Sequence, residues 1–193
     1  GCRWRSQNPY KSVFADFRTR RADDHIKPDT SLEILSKLPT AFGKEGTVTA
    51  GNASGIVDGA ACLVVTTGNR AREAGKKPIG RIASFAAVGV PPEIMGIGPA
   101  PAIRKALDIA GLKQDEIDLF EINEAFSGQY LACEKDLELD RSKCNVNGGS
   151  IALGHPLGAT GTRLILTVLY ELRRRNAKYG IASACIGGGQ GIA

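Results

Sequence analysis

The sequence is most distinctive near its end, in Gly148-Gly149-Ser150-Ile151-Ala152-Leu153-Gly154-His155-Pro156-Leu157-Gly158-Ala159-Thr160-Gly161 and, one amphipathic helix later, Cys185-Ile186-Gly187-Gly188-Gly189-Gln190-Gly191. One of only two histidines and one of five cysteines lie in these stretches. Glycine permits positive φ and a close approach of backbone amides to a ligand, so titratable side chains in this setting are placed for chemistry more than for packing. The two stretches therefore predict an active site.

Helices and strands are predicted to alternate along the rest of the chain. Apolar residues between the two stretches recur at helical spacing, at Leu164, Ile165, Val168, Leu169 and Leu172. Strands are predicted over 60–67, 79–88, 117–122 and 179–184, and further helices over 32–38, 69–75 and 101–110. This alternation predicts a layered α/β fold with a mostly buried sheet, whose functional residues occupy loops at the strand ends.

Length and composition exclude several classes of protein. The chain is 42% hydrophobic and 23% charged, which is typical of a globular protein and not of a disordered one. No apolar run approaches the roughly 20 residues that span a bilayer, and the first residues lack the order of a secretory signal. A soluble protein without a transmembrane segment is predicted. Because the chain starts with glycine and its last residues follow a glycine turn, we expect it to be cut at both ends.

The cysteines and the charges bear on compartment and partners. An odd number of cysteines without a CxxC pair argues against a disulfide framework and a zinc site, and favours a reducing compartment. The cysteines are Cys2, Cys62, Cys133, Cys144 and Cys185. The net charge of +5 comes partly from Arg3, Arg5, Arg18, Arg20, Arg21, Arg173, Arg174 and Arg175. Nucleic acid or a phosphorylated small ligand would suit this charge, but solubility and a complemented helix dipole explain it more simply, and no nucleic-acid partner is predicted.

Three residues are candidates for chemistry, and each has a plainer alternative. Cys185 is either a small buried hydrophobe at a strand end or a reactive thiol beside open glycine amides. His155 is either a satisfied loop histidine or a base that takes a proton from a thiol near neutral pH. Asn123 is either the N-cap of the helix that follows it or a group that holds a water or a substrate oxygen. The other histidine, His25, lies in a charged segment without glycine and is interpreted as structural.

These motifs together point to a known family. Asn123-Glu124-Ala125-Phe126, the stretch from Gly154 to Gly161 and the stretch from Cys185 to Gly191 resemble, in this order and at this spacing, the C-terminal half of the thiolase family. The match is closest to the members that cleave 3-ketoacyl-CoA, the acetyl-CoA acyltransferases. Two more segments, 47–55 and 94–99, also resemble family segments, so the similarity covers about residue 27 to the end. The first 26 residues match poorly.

The resemblance implies an architecture and a reaction. The family fold has two similar βαβαβαββ halves, each a five-stranded mixed sheet with helices on its faces, and a loop domain that clasps coenzyme A. Residues 1–75 would hold the end of the N-terminal half with a remnant of the loop domain, and residues 76–193 the C-terminal domain. The implied reaction is thiolytic cleavage of 3-ketoacyl-CoA to acetyl-CoA and a shortened acyl-CoA, or the reverse Claisen condensation. Coenzyme A would be a substrate, with no bound cofactor and no metal.

The resemblance also assigns roles to residues of this chain. Cys185 matches the cysteine that moves the α-proton of the acetyl unit, and His155 matches the histidine that activates the nucleophile and contributes to an oxyanion hole. Asn123 matches the residue that holds the water of that hole, and Gly187 would offer its amide to the acyl oxyanion. The residues expected to contact coenzyme A are Ala53, Ser54 and Gly55.

One departure from the family pattern is decisive for this chain. The family's nucleophilic cysteine is followed by small residues and an apolar helix, and no cysteine here has that setting. We therefore expect a C-terminal portion of a thiolase that is inactive alone. The alternatives are a catalytically inactive CoA-binding or assembly module and a fatty-acid or polyketide condensing enzyme, which normally has a histidine where Cys185 stands. The resemblance also implies a mitochondrial location, with peroxisomal or bacterial cytoplasmic alternatives, and a homo-oligomer, either a dimer or a dimer of dimers.

Overall fold

The computed structural model describes residues 25–193, in which helices and strands alternate as expected for an α/β fold. The elements are α1 (Leu32–Ser36), α2 (Gly68–Glu73), β1 (Ala87–Gly89), α3 (Pro99–Ala110), β2 (Leu119–Ile122), α4 (Ser127–Asp136), α5 (Ser150–Leu153), α6 (Leu157–Arg175), β3 (Gly180–Ile186) and β4 (Gln190–Ile192). Short 3-10 turns occur at Pro92–Ile97, Gln114–Glu116 and Arg141–Lys143. The predictions about Cys2 and the arginines before residue 25 lie outside the described residues.

The strands form one mixed sheet in the order β1-β4-β3-β2. β2 and β3 are parallel, with Ile122 opposite Ser183, whereas β4 is antiparallel to both of its neighbours. β2 is buried on both faces. Its outer edge is covered as well, because the Asn145 N–H donates to the Phe120 carbonyl at 2.8 Å. The mixed α/β sheet is confirmed, with four strands in the described part where the family fold implies five.

Two long helices pack against this sheet, and both have sequence-encoded ends. α3 begins at a proline, whose missing N–H costs nothing in the first turn, and ends at Gly111 in the left-handed conformation. α6 buries Leu164 and Val168 toward the sheet and contacts both β2 and β3. Asn176, also left-handed, ends it. Its basic last turn lies at the negative end of the helix dipole.

Asp118 sets the register between the two parallel strands. Its Oδ2 accepts hydrogen bonds from the backbone N–H groups of Lys178 and Tyr179, at 2.8 and 2.9 Å. These two bonds are the main reason why the pKa of Asp118 lies below its ordinary value. The carboxylate therefore fixes where β3 begins relative to β2, and with it which residues reach the far end of each strand.

The hydrophobic core lies between α3, α4 and the face of β2 and β3. Its buried members are Ala100, Ile103, Leu107, Ile117, Phe120, Ile122, Cys133, Leu137 and Cys144. Within residues 25–193, no helix has the length and apolar character that crossing a membrane requires.

One predicted strand does not exist, and another is shorter than predicted. Residues 60–67 form no strand, and the side chains of Val64 and Val65 are 89% and 74% exposed. A strand needs a neighbour to satisfy its amides, and this segment has no partner strand in the described chain. The strand predicted over 79–88 is limited to Ala87–Gly89, because β4 offers only three residues for pairing. Ala86 and Ala193 extend the pairing through two backbone hydrogen bonds.

Two local predictions near the proposed site also need correction. Asn123 does not cap the next helix: α4 begins at Ser127 with Phe126 as its N-cap, and Gln129 accepts hydrogen bonds from the amides of Ala125 and Phe126. Cys185 does not lie in a loop but is the penultimate residue of β3, opposite Gly191. Strand pairing continues past residue 184 because the β3–β4 hairpin supplies a partner for it.

Candidate functional site

The first part of the candidate site lies where β2 and β3 end together. Asn123 directly follows β2, and its N–H donates to the Ser183 carbonyl of β3 at 2.9 Å. Cys185 lies two residues further along β3. The parallel pairing thus brings Asn123 and Cys185 to the same edge of the sheet, the carboxyl edge at which ligands bind in open α/β sheets.

His155 reaches this region through the segment that contains Ala53, Ser54 and Gly55. The Ser54 N–H donates to the Ala125 carbonyl at 3.0 Å, and the His155 N–H donates to the Gly55 carbonyl at 2.8 Å. The segment therefore runs between the residues after β2 and the loop before α6. A Cβ on Gly55 would stand 2.2 Å from Cε1 of His25, so a larger residue at position 55 would require the His25 side chain to move.

Hydrogen bonds at the start of α6 hold the imidazole of His155 and can fix its tautomer. Its Nδ1 lies 2.6 Å from the hydroxyl oxygen of Thr160, and the same hydroxyl donates to the Pro156 carbonyl at 3.1 Å. A hydroxyl has one hydrogen, and when that hydrogen goes to the Pro156 carbonyl the oxygen of Thr160 accepts the hydrogen of Nδ1. Nε2 of His155 then keeps its lone pair. Burial, and secondarily the charge of Arg163, lower the pKa of His155 below 6.5, which favours the neutral imidazole that a base requires.

Asn123 carries an unsatisfied donor. The residue is 1% exposed, and its Oδ1 accepts a hydrogen bond from the Ser150 hydroxyl at 2.6 Å. Its Nδ2 is buried and has no hydrogen-bond partner within residues 25–193. A buried donor without a partner costs about 1–3 kcal/mol, so such a group usually has a water or a ligand as its partner. The NH₂ group of Asn123 is therefore suited to hold an oxygen atom at the edge of the sheet.

Cys185 is half-buried, and burial raises the pKa of its thiol. The neutral thiol is therefore its resting form, whereas the sequence interpretation also considered a stabilised thiolate. The hairpin after β3 consists of Gly187, Gly188 and Gly189, and the last two have φ of +86° and +92°. Gly187 is exposed, with open space where a side chain would stand.

The remaining described cysteines do not resemble activated nucleophiles. Cys133 and Cys144 are buried, each donates to a backbone carbonyl, and burial raises the pKa of each to about 11. Cys62 is exposed in the irregular segment that precedes α2. Among residues 25–193, no three His, Cys, Asp or Glu side chains are grouped so that they could hold a metal ion.

Sequence reasoning missed three residues that contact the candidate site: Ser150, Thr160 and Arg163. Arg163 had a signal, because it is the only charged residue between Leu157 and Tyr170 and Glu121 is the only charge in the buried strand β2. The two form an ion pair at 2.9 Å. Ser150 and Thr160 had none, since only the folded chain shows what their hydroxyls meet.

Comparisons with known proteins agree on one family. The family model "Thiolase, C-terminal domain" matches residues 76–193, and "Thiolase, N-terminal domain" matches residues 10–69. The human mitochondrial 3-ketoacyl-CoA thiolase is 54% identical over 176 residues, which cover 91% of this chain and 44% of the relative. The chain thus spans less than half the length of this relative.

Solved structures give the same picture. The crystal structure of that human enzyme in complex with CoA matches with a TM-score of 0.81 and 50% identity, covering 88% of this chain and 43% of the other. The acetyl-CoA acetyltransferase of Bacillus anthracis matches with a TM-score of 0.85 and 50% identity, covering 91% of this chain and 46% of the other.

Proposed function

Because the chain belongs to the thiolase family, we propose that it carries the acid/base half of an acyl-CoA thiolase active site. The proposed reaction is thiolytic cleavage of 3-ketoacyl-CoA to acetyl-CoA and a shortened acyl-CoA, or the reverse condensation. The observation that carries this proposal is the buried NH₂ group of Asn123, which has no hydrogen-bond partner within residues 25–193 and lies at the sheet edge that also carries Cys185. In this proposal the nucleophile is a cysteine that this chain does not carry, and we call the chain together with the portion that supplies that cysteine the complete enzyme.

Each residue has a defined part in the proposed cleavage. His155 Nε2 takes the proton of the nucleophilic thiol, whose sulfur attacks the 3-keto carbon. The C2–C3 bond breaks, and Cys185 gives its proton to the carbanion, which leaves as acetyl-CoA. The Cys185 thiolate then takes the proton of an incoming CoA thiol, whose sulfur attacks the acyl group and releases the nucleophile, which regains its proton from His155. One oxyanion would be stabilised by His155 and by a water that Asn123 holds. The acyl oxyanion would be stabilised by the Gly187 amide.

Coenzyme A enters the proposal as substrate, contacting Ala53, Ser54 and Gly55. The support is the position of this segment, which is hydrogen-bonded to Ala125 on one side and to His155 on the other. An open cleft of about 390 Å³ adjoins it, between residues 57–61 and the start of α6. A ligand there would pass the loop that carries His155.

The remaining proposals concern organisation and location. We infer a division near residue 75, because the four strands of the described part follow residue 86, and because one family match ends at residue 69 and the other begins at residue 76. A mitochondrial location is inferred from relatives such as the human enzyme named above, and a homo-oligomer is inferred from family membership. Import of the complete enzyme into isolated mitochondria and light scattering of the purified protein would test these two points.

His155→Ala tests the proposed function. In the complete enzyme we expect it to slow both acylation of the nucleophile and condensation by on the order of 10²-fold, because one imidazole serves as base and as oxyanion donor. Rapid-quench measurement of the two half-reactions reads each step. Acylation at the wild-type rate would assign His155 to a structural loop role, and an inactive wild type that still binds CoA would favour the CoA-binding module.

Thr160→Val tests how His155 is held. Valine has nearly the shape of threonine but no acceptor for Nδ1–H, so the imidazole loses its fixed tautomer and acylation is expected to slow about tenfold. Thr160→Ser, which keeps the hydroxyl, is the matched variant and should stay close to wild type. Equal rates for the valine and serine variants would contradict the tautomer argument.

A further inference from the structure

A chain of polar contacts leads from β2 to the carboxamide of Asn123. The Arg163 guanidinium forms an ion pair with Glu121 at 2.9 Å, and its other terminal nitrogen donates to the Ser150 hydroxyl at 3.1 Å. Ser150 donates in turn to Asn123 Oδ1 at 2.6 Å. Glu121, Asn123 and Ser150 are 3%, 1% and 0% exposed, so water does not compete for the bond between Ser150 and Asn123, whereas the Arg163 side chain is 23% exposed.

The direction of these bonds follows from the donors available. A guanidinium only donates, so Arg163 occupies a lone pair of the Ser150 oxygen and leaves the hydroxyl hydrogen to find an acceptor. The carboxamide oxygen of Asn123 is that acceptor. The rotated carboxamide would place its NH₂ group against Ser150 and leave the hydroxyl hydrogen without this partner. Ser150 therefore distinguishes the two ends of a side chain whose oxygen and nitrogen have almost the same shape.

We propose that Ser150, held by Arg163, is a positioning residue that locks the Asn123 carboxamide with its NH₂ group free to bind an oxygen atom. The inference rests on the proposed function, in which that NH₂ group holds the water of an oxyanion hole. Glu121 anchors the arrangement from β2, because its buried Oε1 accepts a hydrogen bond from the partly exposed Arg163 guanidinium at 2.9 Å. The NH₂ group has no partner within the described residues, which is the observation that points to a ligand, and Ser150 explains why it is the nitrogen that lacks one.

A double-mutant cycle in the complete enzyme tests the inference. We expect Ser150→Ala to lower kcat for condensation about three- to tenfold with KM unchanged, since one orienting hydrogen bond is lost. Asn123→Ala should lower kcat further, and adding Ser150→Ala to it should have no additional effect, because the group that Ser150 orients is then absent. Ser183→Ala is the matched control: it removes another buried hydroxyl, bonded to the Ile192 carbonyl, and should leave kcat unchanged.

Additive losses in the double mutant, or a Ser150→Ala enzyme with wild-type kcat, would overturn the inference. If Ser150→Ala does not fold, Arg163→Lys takes its place in the same cycle. Lysine keeps the positive charge but cannot donate to Glu121 and Ser150 from two guanidinium nitrogens. A second readout is independent of turnover: the side-chain amide signals of Asn123 in selectively ¹⁵N-labelled protein should broaden or split in Ser150→Ala. An inactive wild type with this spectral change would overturn the proposed function alone, and unchanged signals would overturn the positioning role.

Discussion

The 193-residue chain alone is expected to show no thiolytic turnover when it is incubated with a 3-ketoacyl-CoA and free CoA. Covalent catalysis needs a nucleophile with a base beside it. Of the described thiols, Cys133 and Cys144 are buried with a pKa of about 11, and Cys185 has the proposed acid/base role. Loss of the 3-ketoacyl-CoA absorbance and release of thioester products, compared with a protein-free blank, measure the rate.

The complete enzyme is the positive control for this experiment and should turn over under the same conditions. We also expect the isolated chain to self-associate, because Val64, Val65, Ile82 and Phe85 expose large apolar side chains. Size-exclusion chromatography reads this directly. Robust turnover by a folded, soluble monomer would show that the missing-nucleophile argument is wrong and that one of Cys2, Cys62, Cys133 or Cys144 is the acyl acceptor.

Cys185→Ala in the complete enzyme is expected to abolish carbon–carbon bond formation and cleavage while the nucleophile is still acylated. Proton transfer at the α-carbon is a separate step from acyl transfer, and a lost acid/base group typically costs about 10²–10⁴ in rate. Burial raises the pKa of the Cys185 thiol, so the wild-type residue carries the proton that it would transfer to the α-carbon. Exchange of the acetyl α-protons with deuterium, followed beside single-turnover acylation, separates the two steps.

Cys144→Ala is the matched control for that variant. Like Cys185, Cys144 has a thiol whose pKa is raised by burial. The Cys144 sulfur, however, donates to the Asp140 carbonyl, away from the end of β3. We expect lower thermal stability and a wild-type ratio of acylation to condensation. Equal loss of both half-reactions in Cys185→Ala would rule out a role confined to proton transfer.

Local sequence patterns correctly predicted α3 and α6, where a glycine marks the helix end or apolar residues recur at helical spacing. Gly111 ends α3 where expected, and the apolar spacing from Leu164 to Leu172 marks the buried face of α6. The strand predicted over residues 60–67 was wrong, because an apolar run indicates only that a segment could be buried, whereas a strand also needs a partner strand. The same limit applies to β1, whose length is set by β4 and not by its own residues.

For the candidate site, too, the sequence indicated some residues and missed others. Local patterns indicated His155, Cys185 and Asn123, and the family resemblance added Gly187 and residues 53–55; their roles stay predictions. The helix-cap interpretation of Asn123 was wrong, because tertiary contacts with Ser150 outweigh the local preference of asparagine. Hydroxyl contacts such as those of Ser150 and Thr160 depend on distances between segments far apart in sequence, which no local pattern encodes.

The register that Asp118 sets has a consequence for how the protein folds. Its two hydrogen bonds join positions 60 and 61 residues apart, and the whole segment from α4 to α6 lies between the strands that they align. Loop-closure entropy makes such distant parallel pairing slow. The edge that carries Asn123 and Cys185 should therefore form late, after α6 has condensed on β2. Until then the unpaired strands are open to intermolecular association, so chaperone dependence during refolding should be governed by this one pairing step.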